Sequence, residues 1–254
     1  AELIGSDSVE ADVEAVLLSA LALRSLGIET LSVDLNLPTL LAAVGSGTGV
    51  ADDKFRKLHD ALERKDEAGV RALLGESNPK AMESFVALLR MVGPAEAVVA
   101  KIANLDLPPA ARVEAKRLAD VVSRIRKADA ALKITVDPVE YRGFEYHTGV
   151  SFTLFALGVR GELGRGGRYV TREGEAATGF TLYMDTILQA VKAPAPKRRL
   201  LLPAGTAIAE RQRLQKEGFV TVTALDESGD IKSEARRVGC SHVLIDGAVV
   251  ALSQ

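Results

Sequence analysis

One stretch of the chain, residues 139–169, constrains the fold and the function more than any other. Its first half alternates aromatic and β-branched residues with polar ones, as in a strand with one apolar face. Its second half places three glycines around Arg165 and Arg168. Glycines let a backbone approach a bound molecule closely, and guanidinium groups bind carboxylate or phosphate. The stretch predicts a pocket for a small zwitterion, although a plain hairpin with a surface turn has the same composition.

The composition disfavours several classes of partner. The 254 residues are 47% apolar and 26% charged, as in an ordinary globular protein, and the net charge is −2. No apolar run reaches the roughly 18 residues of a membrane span, and the basic excess typical of nucleic-acid binding is absent. The single Cys240 excludes an internal disulfide, and His59, His147 and His242 lack metal-site spacing. We expect a cytoplasmic protein without a metal, a membrane anchor or a nucleic-acid partner.

Helical and strand periodicities alternate in the first part of the chain. A helix is predicted at residues 9–26, after a serine cap, and a half-buried antiparallel strand at residues 28–37. Helical patterns then fill residues 52–133, with prolines at the helix boundaries. The glycine-rich run 45–49 lacks the Gly-Lys-Ser/Thr ending of a phosphate-binding P-loop. That run is therefore predicted to be a flexible linker.

The pattern changes after a Pro- and Ala-rich linker at residues 193–197. From there to the C-terminus, short strands alternate with short helices, which predicts a small α/β unit. We therefore expect an α+β protein with two domains. The first is a core at residues 1–192 with a helical insertion at about residues 50–133, and the second is the unit at residues 198–254.

Two motifs in the constraining stretch resemble the paired histidine-binding signatures of class II histidyl-tRNA synthetases. Residues 142–149, Arg-Gly-Phe-Glu-Tyr-His-Thr-Gly, are similar to the family pattern Arg-Gly-Leu-Asp-Tyr-Tyr-Thr-Gly. Residues 166–169, Gly-Gly-Arg-Tyr, match the start of the second signature. The resemblance implies the class II synthetase core, an antiparallel sheet flanked by helices. It also implies that the N-terminal part of that core, including motif 1, is absent from this chain.

A third motif distinguishes synthetases from their non-catalytic relatives. Motif 3, of the type Gly-Phe-Ala-Ile-Gly-Leu-Glu-Arg-Leu, matches residues 179–187. Thr186 takes the position of the ATP-binding arginine, and Tyr183 takes that of a pocket glycine. Loss of the guanidinium removes a charge-assisted phosphate contact, which disfavours adenylation. The chain thus resembles the regulatory subunits of ATP phosphoribosyltransferase, which are histidyl-tRNA synthetase paralogues and partner a short catalytic subunit in histidine biosynthesis.

This resemblance implies a non-catalytic, allosteric subunit that needs no cofactor. It would bind histidine and control the short-form ATP phosphoribosyltransferase catalytic subunit, as a self-dimer within a hetero-oligomer. Arg142 would pair with the ligand carboxylate, and the implied histidine-binding residues are Glu2, Arg142, Tyr146, His147, Arg168 and Tyr169. Two alternatives stay open: an active histidyl-tRNA synthetase or amino-acid-activating paralogue, and a histidine-binding or structural paralogue without this partner.

Overall fold

The computed structural model describes residues 1–140, 146–192, 195–226 and 230–252. The chain divides into two compact units, Ala1–Lys192 and Ala193–Gln254. Strands and helices are mixed in both units, and the α+β class predicted from the sequence is confirmed. None of the helices in these ranges is both long and apolar enough to cross a membrane.

The first unit contains seven strands and eight α-helices within the described ranges. In chain order they are β1 (Glu2–Ile4), α1 (Val9–Ser25), β2 (Leu31–Asn36), α2 (Pro38–Gly47), α3 (Asp52–Glu63), α4 (Glu67–Leu74), α5 (Pro79–Leu89), β3 (Gly93–Pro94), α6 (Ala95–Ala103), α7 (Pro109–Ala128), β4 (Lys133–Val136), β5 (His147–Ala156), β6 (Gly164–Val170), β7 (Ala176–Leu182) and α8 (Met184–Ala190). Helices α3 to α7 form the helical block that follows β2 and α2.

The seven strands form one sheet in the order β1-β7-β6-β5-β2-β4-β3, in which only the β2–β4 pair is parallel. Alternation along each strand gives the sheet two different faces. Val33 and Leu154 lie opposite each other and are buried on the face covered by α1 and α2. The neighbouring register row, which includes Asp34, Thr153 and Arg165, points to the other face. That polar face is available for a binding site.

Helix α2 continues through a segment that was predicted to be a linker. Gly45 and Gly47 are helical, so the linker prediction was wrong for both. A Cβ on Gly45 would lie 2.6 Å from the ring of Phe55, and a Cβ on Gly47 would lie 2.4 Å from the Cβ of Pro108. The glycines therefore serve close packing of α2 against the helical block, and that role is invisible in the local sequence.

The second unit is a small α/β layer. It contains β8 (Arg199–Leu202), α9 (Ile208–Lys216), β9 (Val220–Thr223), α10 (Ile231–Arg237), β10 (His242–Ile245) and β11 (Ala248–Ala251). The strand order is β11-β10-β8-β9, with β8 parallel to both β9 and β10. Leu200 and Leu202 pack with Leu214 on one side of β8, and Leu201 packs with Val243 on the other. Both faces of β8 are thus buried, as expected for a central parallel strand.

Candidate functional site

A cleft of about 170 Å³ lies on the polar face of the large sheet, above β1, β6 and β7. It is lined by Glu2, Tyr146, His147, Arg165, Gly166, Gly167, Tyr169, Gly179, Phe180, Thr181 and Tyr183. Four predicted histidine-binding residues, Glu2, Tyr146, His147 and Tyr169, therefore lie around one cavity. They come from two distant parts of the sequence, and the pairing of β7 with both β1 and β6 brings them together.

Paired glycines form the floor of the cleft. Gly167 on β6 lies opposite Gly179 on β7. A Cβ on Gly167 would lie 2.9 Å from both the Nε2 atom of His147 and the Cα atom of Ser151. A Cβ on Gly179 would lie 2.6 Å from the carbonyl oxygen of Ala1. Glycine is required at both positions because side chains and backbone already occupy the space next to them.

The sequence resemblance implies that this cleft binds histidine, and on that expectation the Gly167→Ala variant should lose most of the affinity. The added methyl group must displace His147, and overpacking of this kind costs about 1–3 kcal/mol. Histidine affinity would be measured by calorimetry, and stability by urea unfolding. Gly45→Ala is the control, since its Cβ would crowd the ring of Phe55 at 2.6 Å and neither of these residues lines the cleft. Equal losses of affinity in both variants would contradict a specific role of Gly167.

Tyr169 and Glu2 form a hydrogen-bonded pair at one end of the cleft. The Tyr169 hydroxyl donates to Oε1 of Glu2 at 2.7 Å. This hydrogen bond, together with burial, raises the pKa of Tyr169 to about 12. The ring of Tyr146 contacts that of Tyr169 edge to face, with the centroids 6.0 Å apart, and burial raises the pKa of Tyr146. The pair presents an oriented carboxylate that can accept a hydrogen bond from an imidazole or ammonium group.

His147 lies deeper in the same wall and is only 7% exposed. Its ring centroid is 4.5 Å from that of Tyr146. Burial lowers the pKa of His147 to about 4, so the imidazole is neutral at neutral pH. A neutral imidazole offers one donor and one acceptor, whereas the tyrosine of the synthetase signature offers a hydroxyl.

The opposite end of the cleft is formed by Arg165 and Tyr183. Arg165 forms an ion pair with Glu162 through Nε and Nη2, and this hydrogen bonding raises the pKa of Arg165. The sequence placed Arg165 beside the predicted pocket as a possible carboxylate- or phosphate-binding group, but the histidine-binding residues implied by the resemblance did not include it. The spacing in the sequence could have identified it, because Arg165, Gly167 and Tyr169 are two residues apart along β6 and their positions therefore share one face of the strand.

Arg168, implied by the resemblance to be a histidine-binding residue, is not among the residues that line the cleft. Its Nε donates to Oδ1 of Asp12 at 2.8 Å, and its Nη atoms donate to the carbonyls of Ser6 and Ser8. Successive side chains of a strand point to opposite faces, so Arg168 and Tyr169 cannot both line the cavity. The Arg168 guanidinium is therefore buried on the opposite face of the sheet from the cleft, where it binds Asp12 and two backbone carbonyls.

The sequence singles out three further residues, Arg142, Tyr183 and Thr186. Arg142, predicted to pair with the ligand carboxylate, lies outside the described residues. Tyr183 lines the cleft, as expected for a residue at the position of a pocket glycine. Thr186, at the position of the ATP-binding arginine, lies beside Gly161 in the β5–β6 connection. The position at which synthetases carry the ATP-binding arginine is thus occupied in this chain by a short, uncharged side chain.

One possible group of metal ligands occurs in the described ranges. Ligand atoms of His59, Asp60 and Glu63 on α3 lie within 4.8 Å of one another. Asp60 and Glu63 are exposed, and exposed carboxylates on a helix surface commonly bind no ion. We therefore assign no metal centre to this helix.

The largely antiparallel sheet flanked by helices, with a cleft on its polar face, is a class II aminoacyl-tRNA synthetase-like fold. The model of the histidyl-tRNA synthetase family matches residues 1–187, and the chain belongs to this family. It is 47% identical over 249 residues to the ATP phosphoribosyltransferase regulatory subunit of Rhodospirillum centenum, across 98% of this chain and 64% of that protein. The chain thus spans slightly less than two thirds of this relative. The resemblance predicted from the motifs is confirmed.

Solved structures share the fold at low sequence identity. An ATP phosphoribosyltransferase regulatory subunit/histidyl-tRNA synthetase from Bacillus halodurans superimposes with a TM-score of 0.78 at 18% identity, covering 93% of this chain and 65% of that chain. The ATP phosphoribosyl transferase (HisG:HisZ) complex from Thermotoga maritima gives a TM-score of 0.58 at 15% identity, covering 72% and 64%. At these identities the similarity concerns the fold alone.

Proposed function

We propose that this chain is part of a non-catalytic regulatory subunit of ATP phosphoribosyltransferase that binds histidine. The observation that carries the proposal is the uneven retention of the synthetase site. The amino-acid end keeps the Glu2–Tyr169 pair and the glycine floor, whereas Thr186 replaces the ATP-binding arginine. The 47% identity to a named regulatory subunit supports the same role.

The cleft offers groups suited to each part of a histidine ligand. Glu2 can accept a hydrogen bond from the imidazole or the ammonium group, and Tyr169 holds its carboxylate in place. Neutral His147 can donate to or accept from the ligand. The carboxylate is assigned to Arg142, because a guanidinium forms a charge-assisted, two-point contact with it. Arg168 is removed from the contact set, because it does not line the cleft and its guanidinium donates to Asp12, Ser6 and Ser8 instead.

Regulation would follow from linkage between histidine and the assembly. Catalysis is assigned to a short-form phosphoribosyltransferase partner, and the complex from Thermotoga maritima is a precedent for such an assembly. If one assembly state binds histidine more tightly, histidine shifts the population toward that state. Self-dimerisation of this chain within the hetero-oligomer and a cytoplasmic location stay predictions.

Histidine binding can be followed by tyrosine fluorescence. The chain has no tryptophan and four tyrosines, of which Tyr146, Tyr169 and Tyr183 line the cleft. Histidine should therefore change the emission in a saturable way, and calorimetry should give the same affinity. Arg142→Ala should weaken binding without changing the thermal midpoint. A flat titration with folded wild-type protein would exclude histidine as the ligand.

Partner control and aminoacyl activation are separate questions. Addition of a short-form catalytic subunit should yield phosphoribosyl-ATP formation that responds to this chain, and no response would reject the regulatory role. The match to the histidyl-tRNA synthetase family favours activation of histidine as a second candidate. Histidine-dependent exchange between pyrophosphate and ATP tests that candidate, and robust exchange would favour the synthetase over the regulatory subunit.

A further inference from the structure

Beneath the cleft, one buried carboxylate connects three separate elements. Asp12, in the first turn of α1, is only 3% exposed. It accepts hydrogen bonds from Arg168 of β6 at 2.8 Å. It also accepts hydrogen bonds from Nε and Nη2 of Arg117, on α7, at 3.1 and 2.9 Å. A single side chain therefore joins the strand below the cleft to the longest helix of the helical block.

The same two arginines hold the connection between β1 and α1. Arg168 donates to the carbonyls of Ser6 and Ser8, and Arg117 donates to the carbonyls of Asp7 and Ser8. These carbonyls follow β1 directly, and β1 carries Glu2. The position of β1 relative to β6 is thus set from below by this network.

This hydrogen-bond network includes a residue that is adjacent in the sequence to two residues of the cleft lining. Arg168 stands between Gly167 of the floor and Tyr169 of the wall. The hydrogen bond between Tyr169 and Glu2 joins β6 to β1, and on the opposite face Arg168 joins β6 to the connection that follows β1. Arg168 and Tyr169 are adjacent residues of β6. A displacement of Arg168 relative to Asp12 would therefore also change the geometry of the hydrogen bond between Tyr169 and Glu2.

We propose that Asp12 and Arg117 are positioning residues that couple α7 of the helical block to the histidine cleft. This inference rests on the proposed function and adds a route between the site and the surface of the block. Within the described residues Arg117 hydrogen-bonds to Asp12, Asp7 and Ser8, none of which lines the cleft. Its effect on a ligand would therefore pass through Asp12 and Arg168. Coupling free energies of this kind are typically 1–3 kcal/mol, or about 5–150-fold in affinity.

Arg124 provides a matched control on the same helix. It pairs with Glu10, so it also links α7 to α1. Both partners of that pair are exposed, and neither contacts Arg168 or the β1–α1 connection in the described structure. A pair of this kind contributes at most about 1 kcal/mol.

The test compares histidine affinities of Arg117→Ala, Arg117→Lys and Arg124→Ala by calorimetry, with thermal midpoints measured in parallel. We expect Arg117→Ala to weaken histidine binding at least about fivefold. Arg117→Lys should restore part of the affinity, because an ammonium group can still pair with Asp12. Arg124→Ala should stay within about twofold of the wild type.

The outcomes separate coupling from simple support of the fold. A lower thermal midpoint with unchanged affinity in Arg117→Ala would make the pair purely structural and overturn the inference. Equal losses of histidine affinity in Arg117→Ala and Arg124→Ala would show that the effect comes from the packing of α7 on α1 in general. That result would also overturn the inference. Absence of binding in the wild type would instead reject the proposed function itself, and the inference with it.

Discussion

Replacement of Arg168 by alanine is expected to lower the free energy of unfolding by about 3 kcal/mol. Breaking a buried ion pair typically costs about 3–5 kcal/mol, because the remaining charge stays buried. Here Asp12 keeps Arg117 as a second partner, which places the cost at the lower end. The carbonyls of Ser6 and Ser8 also lose their donors from Arg168.

Urea unfolding would measure this cost from the shift in midpoint at constant slope. The double variant Asp12→Ala/Arg168→Ala should be more stable than the sum of the two single changes predicts. Asp12→Ala alone leaves the buried Arg168 without its carboxylate, whereas the double change leaves only Arg117, whose side chain is 24% exposed. Arg124→Ala, which removes an exposed pair, should cost less than about 1 kcal/mol. A cost below that value for Arg168→Ala would show that the buried pair does not support the fold.

Acidification is expected to destabilise the protein through His147 by up to about 3 kcal/mol between pH 6.5 and 4. The pKa of His147 is about 4 in the folded state and about 6.5 in an unfolded chain. In that window the unfolded chain binds a proton that the folded protein does not bind. Stability is therefore full above pH 6.5 and decreases as the pH falls toward 4.

Asp34 opposes this effect in nearly the same window. Burial raises the pKa of Asp34 from 3.8 to about 6, so the folded state binds its proton first, and stability increases as the pH falls through this range. The pH dependence of wild-type stability alone therefore does not isolate the contribution of His147. The difference between wild type and His147→Asn isolates His147, since Asp34, His59 and His242 are present in both proteins. Parallel profiles of the two proteins between pH 6.5 and 4 would contradict the assignment.

Much of the site was accessible from local sequence. The two signatures predicted Tyr146, His147 and Tyr169 as binding residues, and the structure brings all three to one cleft together with Glu2. Arg168, predicted together with them, does not line the cleft. The signature treats neighbouring residues as one binding unit, whereas a strand separates neighbours to opposite faces of the sheet. Strand alternation, applied to β6, would have selected Arg165 instead.

The sequence by itself determined the fold class and the family, because hydrophobic periodicity and short motifs are local properties of the chain. Only the tertiary structure decided which groups meet. Asp12 and Arg168 are separated by 156 residues, and Glu2 and Tyr169 by 167. Such pairs depend on strand order and on helix packing across the sheet. These are global properties that no window of sequence contains.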